Sequence, residues 1–215
     1  MARNSRRHNN SSPSLIRRLF KWMVVLGLWA VLIGGAVLAW FAKDLPNLID
    51  NPQFERKASV TVLANDKSLI ARYGDIKEGN ISADRLPKKV ANAIIAIEDR
   101  RFYYHFGLDP IGLTRAIFVN VSNKGVRQGG STITQQLAKN LFLSQEKTYK
   151  RKIQEALLAL WLENELTKDE ILAAYMNRVY LGAGTYGVTA AAKVYFGKGV
   201  EDLTLQEAAI IAGLL

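Results

Sequence analysis

The sequence contains no cysteine and only two histidines, His8 and His105, among its 215 residues. The lack of thiols excludes disulfide and thiolate chemistry, and two histidines exclude a metal site built from several imidazoles. No acidic residue precedes Asp44, whereas six Arg or Lys residues lie before residue 22. The rest of the chain holds 23 basic and 19 acidic residues, so it carries only +4 of the total charge of +10. The basic character belongs mainly to the N-terminal tail, and we expect no nucleic-acid partner.

A run of 21 residues without charge, 22–42, follows the basic tail. As a helix it spans about 30 Å, the thickness of the hydrocarbon core of a bilayer. Trp22 and Trp40, at its two ends, suit the membrane interface. The alternative is a cleaved signal peptide, for which 37–39 is the one passable cleavage site. We predict a basic cytoplasmic tail over 1–21 and an uncleaved transmembrane anchor over 22–42, which puts the remaining residues outside the inner leaflet.

The residues after the anchor change from an extended pattern to a helical one. Residues 43–80 are predicted to form a linker and a small β-hairpin, because 60–62 and 69–73 alternate around a polar turn. From residue 81 to residue 215 the pattern is mainly helical, and it starts with an apolar stripe of Val90, Ala93, Ile94 and Ile97. The chain ends inside a helical pattern, so we expect a C-terminally truncated domain.

Several residues are typical of helix ends. Ser131 is predicted to cap the helix that follows it, and Thr167 and Thr204 each begin a capping-box pattern. Gly182 and Gly197 are predicted to end helices. The fold class predicted from these patterns is mainly α, with one small β-hairpin.

Glu98 stands at the C-terminal end of its predicted helix, beside Asp99. The negative end of the helix dipole and the neighbouring carboxylate both disfavour a charge there, which suits a group that exchanges a proton. The alternative is a salt bridge to Arg100 or Arg101 at a solvated helix end. Phe102 and the aromatic residues after it favour the wall of a cleft.

A glycine-rich turn, 129–132, precedes a helix with a polar face. Such a turn before a helix N-terminus resembles an anion-binding loop, although no Walker A lysine follows it. Gln136 and Lys139 share one face of the helix, and Asn140 lies one turn beyond Gln136. A solvated polar face is the alternative.

Glu155 is predicted to lie on the apolar face of its helix, with Arg151 as a neighbour one turn earlier. A carboxylate in such a place must be paired or must bind a cation. The alternative to a catalytic role is a buried Arg151–Glu155 pair that holds the helix in place.

Five motifs occur in order, and together they are specific. The sequence has E-D-x-x-F-x-x-H-x-G-x-D over 98–109, G-G-S-T-I-T-Q-Q-L-A-K-N over 129–140, R-K-x-x-E over 151–155, A-Y-M-N-R-V-Y-L-G over 174–182 and E-A-A-I-I-A-G-L over 207–214. This set resembles the peptidoglycan glycosyltransferases of family 51, over about residues 80–215. The 60–73 hairpin further resembles the N-terminal part of the class A, bifunctional penicillin-binding proteins.

The resemblance implies a lysozyme-like fold and the polymerisation of lipid II into glycan strands by an inverting transfer that releases undecaprenyl pyrophosphate. Glu98 would be the general base and Glu155 would assist at the leaving group. Lys139 and Arg151 would neutralise the pyrophosphate, and the resemblance allows a divalent cation, Mg²⁺ or Mn²⁺, to assist. Further substrate-binding residues would be Asp99, Phe102, Ser131, Thr132, Gln136 and Asn140.

The resemblance also implies a segment that dips into the membrane, which we call the jaw: Ile111, Leu113, Ile117, Phe118 and Val119. The partners that the resemblance implies for the protein are lipid II, the growing glycan strand, the bacterial inner membrane and other cell-wall synthesis proteins. A monofunctional transglycosylase, a lytic lysozyme-like enzyme and a non-catalytic membrane scaffold are the alternatives.

Overall fold

The computed structural model describes residues 15–43, 60–66, 69–73, 79–122, 129–143 and 148–215. The chain divides into two compact units, 1–44 and 45–215. In the first unit, the described residues form one helix, α1 (Leu15–Ala42). Within it, Arg17–Ala42 is long and apolar enough to cross a membrane, by length and composition. The predicted cytoplasmic tail is described only from residue 15, where the helix already begins.

The second unit is mainly helical in its described residues. Two short strands, β1 (Val60–Leu63) and β2 (Leu69–Tyr73), pair in antiparallel register, with Val60 opposite Tyr73. They lie where the hairpin was predicted, but residues 67–68 of the connection, and most of the predicted linker, are outside the described residues. The helices are α2 (Lys88–Glu98), α3 (Pro110–Ser122), α4 (Ile133–Phe142), α5 (Tyr149–Glu165), α6 (Lys168–Arg178), α7 (Val188–Phe196) and α8 (Leu205–Ala212).

Helix α4 lies at the centre of the packing. It contacts α5 and α6, while α2 packs against α8. Its apolar residues Ile133, Leu137 and Leu141 recur every four positions and are all buried, which turns one face of α4 into the core. Gln136 and Lys139 lie on the other face of α4, and both are partly accessible to solvent. Because the apolar face packs into the core, the rotation of α4 about its axis is fixed, and so is the direction in which its polar face points.

The observed helix ends agree with most of the local patterns. Thr167 and Thr204 form complete capping boxes, and Gly197 ends α7 in the left-handed conformation. Two predictions are wrong. The cap of α4 is Thr132 and not Ser131, because only Thr132 has a Gln at the third helical position to complete the box. Gly182 does not end α6, which already stops at Arg178.

The predicted apolar stripe of α2 is right for Val90 and Ile94, which are fully buried. Ile97 departs from it, since 54% of its surface is exposed. It lies one residue before Glu98, at the rim of the cavity described below. The last turn of α2 thus leaves the core and presents its side chains to a polar cleft.

Candidate active site

A cavity of about 500 Å³ opens beside the C-terminal end of α2. It is lined by Ile97, Glu98, Arg100, Arg115, Gly129, Ser131, Gln136 and Lys139. Four of the predicted site residues are therefore brought together: Glu98, Ser131, Gln136 and Lys139. Among the described residues that line the cavity, one is a carboxylate and three are cations. Such a cavity suits a substrate that carries several negative charges and also has a proton to give up.

Among the described residues, the partner that holds the Glu98 carboxylate is an amide and not a cation. Gln136 Nε2 donates a hydrogen bond to Glu98 Oε2 at 2.6 Å. Neither arginine of the predicted alternative pairs with Glu98: Arg100 Nε donates to the carbonyl of Ala96, and Arg101 Nε lies 3.6 Å from Asp109 Oδ1. A carboxylate that lines the cavity and is held by a neutral amide is placed to accept a proton from a substrate.

Gln136 is held in turn by a buried tyrosine of α6. The Tyr175 hydroxyl donates to Gln136 Oε1 at 3.1 Å. Burial of the phenol, and to a smaller extent the negative charge of Glu98, raise the pKa of Tyr175 above its usual value. The Tyr175 hydroxyl therefore remains protonated at neutral pH.

Glu155 is buried and paired. Its side chain is only 4% exposed, with Oε1 2.7 Å from Arg151 Nη1 and Oε2 2.8 Å from Lys152 Nζ. The contact with Arg151 is close but does not have hydrogen-bond geometry, so we describe it as an ion pair. The structure thus contains the Arg151–Glu155 pair that the sequence left as an alternative, and adds Lys152 as a second cation.

Lys152 connects this buried pair to the cavity. Its Nζ also donates to Ser131 Oγ at 2.7 Å, and Ser131 is one of the lining residues. Neither Glu155 nor Arg151 lines the cavity itself. Lys152 was not among the predicted site residues, although its position three residues before Glu155 on one helix was a usable signal.

Three further predicted site residues are buried and are not among the residues that line the cavity. Asp99 is buried, accepts a hydrogen bond from the backbone N–H of Ile133 at 3.1 Å, and contacts His105 Nε2 at 3.0 Å. Thr132 is buried as the cap of α4, and its hydroxyl donates to the carbonyl of Gly107 at 2.6 Å. Phe102 is fully buried in the core. These residues join the 98–109 segment to the start of α4, which fixes Glu98 relative to Gln136.

Asn140 is partly buried on α4, one turn beyond Gln136, and is not among the lining residues. Two lining residues, Arg100 and Arg115, were not predicted as site residues. From the sequence, Arg100 was considered only as a possible salt-bridge partner of Glu98. Arg115 lies on α3, and only the tertiary fold brings it to the cavity, so the sequence held no local signal for it.

The described residues do not offer a ready ligand set for a divalent cation. Among them, no group of three or more His, Asp and Glu side chains is positioned to hold a metal ion. Both oxygens of Glu155 already contact cations, and Glu98 Oε2 accepts from Gln136. Mg²⁺ and Mn²⁺ prefer several oxygen ligands, so substrate oxygens would have to supply most of them.

Comparison with known proteins places the cavity inside a recognised domain. The family model described as Transglycosylase matches residues 66–215, a range that includes every predicted site residue. Penicillin-binding protein 1A of Vibrio cholerae serotype O1 is 42% identical over 201 residues, which cover 92% of this chain and 24% of that protein. The protein of the same name from Escherichia coli K12 is 43% identical with the same coverage.

Penicillin-binding protein 1A of Aquifex aeolicus is 54% identical over 145 residues, which cover 66% of this chain and 20% of that protein. The chain therefore spans about a quarter of the length of the curated relatives it matches.

Proposed function

The chain belongs to the Transglycosylase family, and from this premise we propose that it is a peptidoglycan glycosyltransferase that polymerises lipid II into glycan strands. The observation that supports this most is the composition of the cavity. One carboxylate, Glu98, faces the same space as Lys139, Arg100 and Arg115. A glycosidic bond to a pyrophosphate needs both a proton acceptor and a set of cations for the leaving group.

In the proposed reaction, Glu98 takes the proton of the acceptor 4-hydroxyl. The oxygen then attacks the anomeric carbon of the donor sugar and inverts it, while the bond to the pyrophosphate breaks. The electron pair of that bond leaves with undecaprenyl pyrophosphate, whose developing charge the lining cations stabilise. Preorganised charges of this kind are among the largest contributions to catalysis, because they need no reorganisation when the reaction occurs.

Glu155 has a supporting part in this proposal. Its carboxylate is engaged by Arg151 and Lys152, so it is poorly placed to accept a proton. We propose that it fixes these two cations at the edge of the cavity, where Lys152 reaches Ser131. Assistance at the leaving group would then come from the cations that Glu155 orients. The described side chains do not form a ligand set for Mg²⁺ or Mn²⁺, and the proposed mechanism assigns no step to a divalent cation.

The proposed donor is a lipid, which fits two apolar features of the chain. Helix α1 is long and apolar enough to anchor the protein in the bacterial inner membrane, and its basic N-terminal side suits a cytoplasmic location. In the other unit, four of the five jaw residues are strongly exposed, namely Ile111, Leu113, Ile117 and Phe118. Large exposed apolar groups of this kind suit contact with a membrane. We further propose a lysozyme-like fold, an extracytoplasmic location for the catalytic domain, and contacts with other cell-wall synthesis proteins.

The test is incubation of the full chain, in detergent or in vesicles, with labelled lipid II and separately with preformed glycan strands. With lipid II, we expect glycan polymers and released undecaprenyl pyrophosphate. With preformed glycan strands, we expect no change in strand length. Shortening of preformed strands would instead identify a lytic enzyme, and inertness towards both would favour a scaffold.

A further inference from the structure

Tyr175 is a core residue whose hydroxyl reaches the candidate active site. Its side chain is 1% exposed in α6, yet its hydroxyl donates to Gln136 Oε1 at 3.1 Å. The other end of the same amide donates to Glu98 Oε2 at 2.6 Å. A chain of two hydrogen bonds thus runs from the core to the carboxylate proposed as the general base.

The direction of the Gln136 amide matters for Glu98. Only the nitrogen end of an amide can donate, whereas the oxygen end would place two acceptors against each other. At 2.6 Å, an oxygen facing Glu98 Oε2 would be repulsive, so the amide is useful in one orientation only. A donor that faces the Gln136 oxygen selects that orientation. Tyr175 is such a donor, because its hydroxyl faces the amide oxygen and a phenol is protonated at neutral pH.

The remaining freedom of Gln136 is small. Its backbone lies on α4, whose N-terminus is fixed by the capping box between Thr132 and Gln135. The helix therefore sets where the Gln136 side chain starts, and the Tyr175 hydroxyl sets which end of the amide meets Glu98. The aromatic ring of Tyr175 packs in the core, and the hydroxyl is the part of the side chain that contacts Gln136. Removing the hydroxyl alone therefore tests a role in the site separately from a role in packing.

We propose that Tyr175 is a positioning residue for the reaction: it orients the Gln136 amide so that Glu98 is held with one oxygen bound and the carboxylate aimed at the acceptor hydroxyl. This inference rests on the proposed function, since it assigns Tyr175 a part in the chemistry of Glu98. It predicts an effect on turnover and not on substrate binding, because Tyr175 is buried behind Gln136.

The test compares Tyr175→Phe with Tyr195→Phe in the full chain, using steady-state polymerisation of lipid II. The two variants lose the same atom, and the Tyr195 hydroxyl donates to the carbonyl of Leu181 instead of to the site. One neutral hydrogen bond is worth a factor of roughly three to ten. We expect Tyr175→Phe to lower kcat by that factor with KM changed less than about twofold, whereas Tyr195→Phe keeps the wild-type kcat.

A double-mutant cycle with Gln136→Leu identifies the route of the effect. If Tyr175 acts through the amide, Gln136→Leu lowers kcat at least as much as Tyr175→Phe, and the double variant is no slower than Gln136→Leu alone. A wild-type kcat in Tyr175→Phe or in Gln136→Leu, or full additivity in the double variant, overturns the role of Tyr175.

Failure of the wild-type chain to polymerise lipid II would overturn the proposed function itself, so the two failures are distinguishable. Thermal unfolding of every variant shows whether it is folded, and Gln136→Leu tests the link even if Tyr175→Phe is unfolded.

Discussion

Lys152 Nζ donates a hydrogen bond to Ser131 Oγ at 2.7 Å, and this contact joins helix α5 to the glycine-rich turn at the edge of the cavity. The same ammonium group lies 2.8 Å from the buried carboxylate of Glu155. The two glutamates of the motifs are therefore not equivalent. Glu98 faces the cavity, and Glu155 reaches it only through the cations it holds.

This difference predicts that the protein loses stability when the charge of Glu155 is removed. Glu155→Gln leaves Arg151 and Lys152 without their shared counter-charge, and breaking a buried pair costs about 3 kcal/mol or more. Because Lys152 is half exposed, we expect the lower end, a fall of about 3 kcal/mol in the free energy of unfolding measured with urea. The matched control is Glu165→Gln on the same helix, where the side chain is exposed and the change should stay within about 0.5 kcal/mol. Equal stability of the two variants would show that Glu155 does not organise the cations.

Lys139 is predicted to act on binding of the donor. Its side chain lines the cavity, and a charged contact to a pyrophosphate is worth a factor of about ten or more. We expect Lys139→Ala to weaken the affinity for fluorescent lipid II about tenfold, measured in the Glu98→Gln background so that turnover does not interfere. Lys193→Ala, which removes an exposed charge from α7, is the control and should leave the affinity unchanged. If both variants bind equally well, Lys139 is only a surface charge.

A backbone constraint follows α6, the helix that carries Tyr175. Gly187 has φ 85° and ψ 150°, a conformation open almost only to glycine, and a Cβ there would lie 2.7 Å from the carbonyl oxygen of Asn177. We expect Gly187→Ala to lower the free energy of unfolding by about 3 kcal/mol. Gly184→Ala is the matched control, since Gly184 also has a positive φ but open space around it, and it should cost about 1 kcal/mol. Similar losses in both variants would argue against the steric contact with Asn177.

Much of the helical framework could be predicted because its signals are local. The capping boxes of Thr167 and Thr204 and the terminal glycine of α7 depend on residues within four positions, and the structure confirms them. The cap of α4 was assigned one residue too early, although the Gln135 side chain that completes the box was visible in the sequence. Gly182 was misread because a positive φ is needed in its turn after α6 and not at the helix end.

The site was only partly predictable, because the spacing of residues in the sequence does not show in which direction each side chain points in the fold. The adjacency of Glu98 and Asp99 suggested a shared site, but the backbone leaves the helix at Asp99 and turns that carboxylate towards the N-terminus of α4. Arg115 and Tyr175 reach the site from α3 and α6, so their parts depend on tertiary packing. The family motifs supplied the candidate site residues, and the structure separates those that line the cavity from those that do not.

The central claim is that Glu98 is the general base, and Glu98→Gln in the full chain tests it most directly. Gln keeps the size of the side chain and an oxygen that can accept from Gln136, so we expect normal thermal unfolding and retained binding of lipid II. Loss of a general base slows a reaction by about 100-fold or more, and polymerisation should fall at least that far. Glu165→Gln, the control on the surface of α5, should polymerise lipid II at the wild-type rate. Chain growth at the wild-type rate in Glu98→Gln would contradict the assignment.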